Sequence, residues 1–243
     1  MIRGLYISAS GLLPKDMEQE VAANNLANIN TIGYKKDAVH FKRLLDERLS
    51  LDSFHGGESD RANAEETLIN FSQGQLQPTD VKTDLAIDGD GFFAIQTPDG
   101  LRFTRDGNFT LNQENQLTTK SGDLVMGESG PIQLFKGDFE VKKNGDVFQN
   151  GTLIDRLSVV TFPKPLPLKK AGEGLFELTI PTIRPEESEN FTIQQGFLED
   201  SNVNAVSEMV KMITIDKGFQ AGQKAIQAQN ETLGKVINQT ARY

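Results

Sequence analysis

Cysteine and tryptophan are both absent from this chain of 243 residues, and histidine occurs only twice, at His40 and His55. Without cysteine there is no disulfide staple, no thiolate metal site and no thiol nucleophile. Two histidines cannot make a three-histidine metal site. A Ser/His/Asp triad would need His40, near the end of helical sequence, or His55, in a polar connector, and neither stands near a nucleophile elbow. A glycine-rich loop with the lysine spacing of a phosphate cradle is missing as well. These absences argue against metal-dependent and nucleophilic catalysis, and no cofactor is expected. Paired carboxylates for glycoside hydrolysis stay open, since an acidic chain offers many pairs whose separation the sequence does not give.

No apolar run approaches the ~18 residues that a membrane span requires, and the mean hydropathy is −0.40, so membrane insertion is not expected. The apolar stretch of the first ten residues is broken by Gly4 and Ser8, which does not fit a cleavable secretory signal. A protein leaving the cytoplasm with this start is expected to use another route. Basic residues are in deficit, 25 Lys and Arg against 34 Asp and Glu, for a net charge of −9. That balance argues against nucleic acid as a partner, because binding it needs a basic face. The deficit is uneven: residues 1–43 come to +2 and residues 200–243 to +1, which leaves −12 for 44–199. Nearly neutral ends around an acidic middle suit ends that pack together and a middle that faces water.

What is present is helical sequence at both ends. Over residues 4–31, Leu5, Ala9, Leu12, Ala23 and Leu26 fall near one face of a 3.6-residue wheel, with Asp16–Glu20 interrupting. Pro14 either kinks this helix or begins it afresh at a first turn. The pattern runs into Asn24, Asn25, Leu26, Ala27 and Asn28 and stops at Thr31-Ile32-Gly33, where Gly33 can take the positive φ that closes a helix. Near the other end Ala205, Met212, Phe219, Ile226 and Leu233 recur at intervals of seven, the spacing of a left-handed coiled-coil contact. Asn202 or Asn204 can cap its start. With Gly218, Ala221, Gly222 and Ala225 in its middle, such a helix is marginal alone and needs partners. A long helix packed on its own domain is the plainer alternative.

Between the ends the texture changes to short β-type runs, among them Phe92–Thr97, Leu101–Arg105, Leu124–Met126, Ile132–Phe135, Leu153–Phe162, Leu175–Ile180 and Phe191–Gln195. Asp99-Gly100, Asp106-Gly107, Asn144-Gly145 and Asn150-Gly151 are tight-turn signals, since both positions tolerate positive φ. Asp88-Gly89-Asp90-Gly91 invites a calcium reading, but position six of a calcium loop would be Phe93 rather than glycine, and position twelve Asp99 rather than glutamate. A turn entering a strand at Phe92 and Phe93 is the better reading, and no metal is expected.

Three stretches carry a resemblance. Ala23-Asn24-Asn25-Leu26-Ala27-Asn28, followed by Thr31-Ile32-Gly33-Tyr34-Lys35, is similar nearly letter for letter to the N-terminal signature of the axial proteins of the bacterial flagellum, the rod and hook subunits. Thr83–Phe93, with Phe103-Thr104-Arg105-Asp106-Gly107-Asn108-Phe109 after it, is similar to their Gly-Phe-Phe motif. Gly196–Asn204 resembles their C-terminal signature, including Asn202, Val203 and Asn204. The opening Gly4-Leu5-Tyr6 and Ser8–Leu12 also fits, whereas Pro14 departs from the family pattern.

The resemblance implies an α+β fold, with long N- and C-terminal helices forming a coiled-coil-like axial domain and a central, mostly antiparallel β domain. The expected boundaries are 1–43 for the N-terminal axial helix region, 44–75 for a connector, 76–198 for the outer β domain and 199–243 for the C-terminal axial helix. It implies a rod subunit in the flagellar basal body that polymerises helically with copies of itself and other axial proteins after passing the flagellar export apparatus. The assembly contacts would fall on Asn24, Asn25, Leu26, Ala27, Asn28, Thr31, Gly33 and Tyr34, on Asn202, Val203 and Asn204, and on Met212, Phe219, Ile226 and Leu233. Residues 1–35 and 205–243 are expected to stay poorly ordered in a dilute monomer. The short connector and the stretch Gly127-Glu128-Ser129-Gly130-Pro131-Ile132 look more like a proximal rod subunit, whereas the opening Met-Ile-Arg-Gly-Leu-Tyr and the Gly-Phe-Phe motif look more like a distal one. A proximal rod subunit is slightly favoured over a distal rod or hook-type one. The reading from another class is a self-contained, secreted acidic β-domain binding protein whose ends fold back on it.

Overall fold

The structure, a computed structural model, describes residues 13–41, 65–135, 137–180, 182–188 and 190–240. The chain divides into two compact units. One comprises Met1–Ala27, Asp37–Asn70 and Asn204–Tyr243, and the other Asn28–Lys36 and Phe71–Val203.

The second unit is built of antiparallel strands. Its central hairpin pairs Phe92–Thr97 with Gly100–Thr104, and the nine-stranded sheet grows outward from this pair. On one side follow Leu175–Leu178 and Leu168–Gly172, and on the other Leu124–Val125, Leu117–Thr118 and Thr110–Leu111. A separate three-stranded sheet joins Phe139–Val141, Asp146–Gln149 and Thr152–Arg156. Its second hairpin turns at Asn150-Gly151, where φ is +52° and +78°, the two left-handed residues that an Asn-Gly turn supplies. Leu85–Gly89 pairs with Phe191–Gln195, and Leu76–Pro78 with Phe197–Glu199.

The sequence reading located most of the sheet but not all of its edges. Leu153–Phe162 is two strands, Thr152–Arg156 and Val159–Thr161. Ile132–Phe135 makes one isolated bridge, Gln133 to Gln116. The core gathers Leu85, Ile87, Phe93, Ile95, Phe109, Leu117, Val125, Ile132, Val147, Leu157 and Ile193. A second, aromatic cluster joins Phe71, Phe92, Phe103, Phe162 and Phe176 through edge-to-face and tilted contacts with centroids 4.8–6.2 Å apart, the spacing at which such pairs attract.

The first unit holds the two helices found among the described residues, Leu13–Ala27 and Ala205–Thr240, and a two-stranded antiparallel sheet of Asp37–Phe41 and Glu65–Ile69. Pro14 sits in the first turn of its helix, where the missing N–H costs no hydrogen bond. Asn204 caps the other helix: its Oδ1 accepts the Ser207 N–H at 3.0 Å and its carbonyl accepts the Glu208 N–H at 3.0 Å.

The expected pair of long terminal helices forming a coiled-coil-like axial domain is corrected by the structure. Among the described residues the N-terminal helix has 15 residues, about 22 Å, against 36 residues, about 54 Å, for the C-terminal one. The shorter helix packs against the longer but over these residues is too short to follow it in a sustained heptad pairing, and the larger of the two units is built of antiparallel strands. The physical reason lies in the asparagines. Helix ends at Ala27 rather than near Thr31, because Asn25 spends its amide on the backbone of a later strand and Asn28 starts a turn. Asparagine side chains compete with the helical backbone in this way. Leu44–Leu51, whose sequence could finish a helix, lies outside the described residues.

Candidate functional site

Asn25, buried completely, clasps Asp37 at both ends of its amide: Nδ2 donates to the Asp37 carbonyl and Oδ1 accepts the Asp37 N–H, each at 2.8 Å. Asn24 and Ala27 are exposed and Leu26 is half-buried. On the C-terminal helix Met212, Phe219 and Ile226 are half-buried, Ile215 is buried, and the Leu233 side chain lies outside the described residues. Another face of the same helix is bare: Val206, Met209, Val210 and Ile213 are 71, 49, 57 and 56% exposed. Their spacing of three, four and seven from Val206 puts them in one stripe.

The rest of the N-terminal motif folds with the β unit. Asn28 and Thr31 make a turn, with the Thr31 N–H donated to the Asn28 carbonyl at 3.2 Å. Gly33 has φ +66°, yet it closes no helix. Its N–H donates to the Glu199 carbonyl at 2.7 Å, and a Cβ there would lie 2.4 Å from the Asp106 nitrogen. Only glycine lets the two backbones approach so closely. Tyr34 is buried, with the Lys170 ammonium 3.9 Å from its ring centroid.

Lys35 follows, with its side chain wholly withdrawn from water. Its Nζ donates to Glu199 Oε1 at 2.5 Å and to the Ser72 carbonyl at 2.9 Å. Glu199, also buried, accepts the Gly74 N–H on Oε1 at 2.7 Å and Arg105 on Oε2 at 3.2 Å. Arg105 donates further to the carbonyls of Ile87 and Gly89, at 3.3 and 2.7 Å, and its guanidinium carbon lies 5.3 Å from the Phe92 ring centroid. Burial holds the pKa of the Lys35 ammonium below the ordinary lysine range and that of the Arg105 guanidinium below its own, while Glu199 pulls both back up. Asn202 closes the arrangement: its Oδ1 accepts the Lys36 N–H at 2.8 Å, and its Nδ2 reaches the Ser72 carbonyl at 2.9 Å. Val203 is buried beside it in sequence.

Three sequence motifs therefore meet at one place through Lys35, Arg105 and Glu199. None of the three was singled out from the sequence as a site residue. Their presence inside motifs that already stood out was the available signal. The arrangement is built to hold, since ammonium, guanidinium and carboxylate are engaged with one another and with backbone. Asp88 and Gly89 end the strand that pairs with Phe191–Gln195, and Asp90-Gly91 turns into the Phe92 strand, with φ +110° at Gly89 and +140° at Gly91. Gln73 and Gln194 donate to the Asp88 carboxylate at 3.3 and 3.2 Å, and Phe92 and Phe93 are buried.

Comparison with known proteins follows the same order along the chain. The model described as "Flagella basal body rod protein" matches residues 5–35, "Flagellar hook protein FlgE/F/G D1 domain" matches 86–196, and "Flagellar basal body rod FlgEFG protein C-terminal" matches 194–240. The flagellar basal-body rod protein FlgG of Bacillus subtilis is 31% identical over 261 aligned positions, covering 98% of this chain and 99% of the relative. The chain belongs to the flagellar basal-body rod protein family. FlgF of Caulobacter vibrioides is 33% identical, with 92% of each protein covered. The hook-basal body complex protein FlhO of Bacillus subtilis is 28% identical over the full length of both. The resemblance carried by the three motifs is thus established, and this rod protein is a structural subunit of the FlgF/FlgG type.

Proposed function

We propose that this rod protein builds the flagellar shaft through repeated contacts between copies and with other axial proteins, made by its terminal segments, while the β unit gives each subunit a rigid body. The observation that carries this reading is the apolar stripe Val206, Met209, Val210 and Ile213, left open to water on a helix whose opposite positions are covered. Contacts of this kind between unlike faces of successive subunits do not close, and they generate an open helical polymer. Met212, Phe219, Ile226 and Leu233 belong to the same helix, and Asn24, Ala27 and Thr31 offer exposed groups at the other end of the chain. Asn25, Gly33, Tyr34 and Val203 are spent inside their own units, so their part is to shape the contact surface from behind.

The reading includes passage through the flagellar export apparatus and a structural rather than catalytic role. Within the rod, the short connector and the Gly127-Glu128-Ser129-Gly130-Pro131-Ile132 turn favour the proximal side. The test is polymerisation of Phe219→Asp and Val210→Asp. Each variant should keep the circular dichroism of the folded β unit and fail to form rods in a strain lacking the wild-type subunit. Normal rods from both would refute assembly through this helix.

A further inference from the structure

We propose that Glu199 is the keystone of a conformational interlock, by which the base of the β unit closes as one piece and only when the N-terminal and C-terminal motifs are both in place. Glu199 is engaged at three oxygen atoms: its carbonyl takes the Gly33 N–H, its Oε1 takes Lys35 and the Gly74 N–H, and its Oε2 takes Arg105. Segments 31–36, 71–75 and 196–203 are drawn together there. Further bonds join the same three segments, as Asp200 N–H to the Gln75 carbonyl at 2.8 Å, Lys36 N–H to Asn202 Oδ1 and Asn202 Nδ2 to the Ser72 carbonyl.

The interlock follows from charge. Lys35, Arg105 and Glu199 are 0, 5 and 1% exposed. A buried ion is tolerated only when paired. Two cations meet one carboxylate, so withdrawing Glu199 would leave like charges facing each other out of water. Lys35 and Glu199 stand 164 residues apart. During synthesis the Ser72 carbonyl is within reach early, but the carboxylate that pairs the Lys35 charge comes only with Glu199, so full docking of the N-terminal motif reports that the C-terminal motif has arrived.

The test is amide hydrogen exchange on the full chain, wild type against Glu199→Gln. A glutamine keeps the shape and, with its oxygen in the Oε1 place, an acceptor for Gly74 and Lys35, but it removes the negative charge between the two cations and turns an NH2 donor on Arg105. The amides of Gly33, Lys36, Gly74 and Asp200 should speed up together, by a common factor on the order of 100-fold, and exchange faster than those of the strand Phe92–Thr97. Faster exchange at Gly33 and Lys36 alone would overturn the interlock, as would exchange of Phe92–Thr97 as fast as that of the four or no rise anywhere. If the variant does not fold, wild-type exchange in rising denaturant decides. The four amides must then open with one free energy and one slope, and separate openings would overturn it.

Discussion

Lys35 and Glu199 meet across 164 residues of chain at 2.5 Å, with neither side chain reached by water. The pair is not symmetric in its consequences, because Arg105 also binds Glu199. Removing Lys35 leaves a neutral Arg105–Glu199 pair, whereas neutralising Glu199 strands two cations. Lys35→Met should accordingly cost about 1–3 kcal/mol, and Glu199→Gln about 3–5 kcal/mol. Urea unfolding of both variants measures the order. A larger loss from Lys35→Met would show that Arg105 contributes little to holding Glu199.

Gly33→Ala tests the close approach of two backbones. Alanine at φ +66° is strained, and its methyl would press on the peptide between Arg105 and Asp106 at 2.4–2.8 Å. Strain of this kind is worth about 1–3 kcal/mol, and the clash adds to it. The variant should lose the Gly33–Glu199 bond and melt earlier by differential scanning calorimetry. An unchanged melting temperature would mean that residues 31–36 dock less tightly than their bonds indicate.

Much of this architecture can be read locally. The hairpin at Asn150-Gly151 follows from a dipeptide that accepts two positive φ angles, and the cap at Asn204 from a side chain placed just before a helical pattern. The N-terminal motif is different. Its asparagines look like a fraying helix end, but Asn25 bonds to Asp37 and the following residues pack into a sheet unit. No period marks such a segment, because each residue has a different partner. Lys35, one of six cations in the first 43 residues, looks like ordinary surface charge. A buried ion pair with so large a separation in sequence leaves no local pattern, so it emerges only once the chain is folded. The heptad recurrence of Met212, Phe219 and Ile226 is real in the sequence, yet among the described residues a partner helix of 15 residues cannot answer one of 36.

Asp106 supplies a pH dependence. Burial raises its pKa above the ordinary carboxylate value, against the opposing hydrogen bond from the Asn108 N–H. A carboxyl whose pKa is raised on folding contributes stability that is full below its unfolded pKa, near 3.9, and is lost as pH rises through the folded pKa. Asp106→Asn removes that loss while keeping an acceptor for Asn108. The variant should therefore gain stability relative to wild type at pH 7 and gain none at pH 3. Urea midpoints at the two pH values provide the comparison, and an equal difference at both would place the effect elsewhere than in titration.

Truncation separates the two halves of the N-terminal motif. A chain beginning at Asn28 keeps Gly33, Tyr34, Lys35 and Lys36, and with them every bond that these residues make to Glu199, Ser72 and Asn202. A chain beginning at Lys36 loses the burial of Tyr34 and the ion pair of Lys35 together. The β unit of the first should unfold near the wild-type midpoint, and that of the second should be weaker by about 3–5 kcal/mol. If residues 1–35 were simply waiting for assembly, as the sequence suggested, the two truncations would behave alike. Unfolding of both, followed by circular dichroism, distinguishes a motif that docks within its own subunit from one that docks only in the rod.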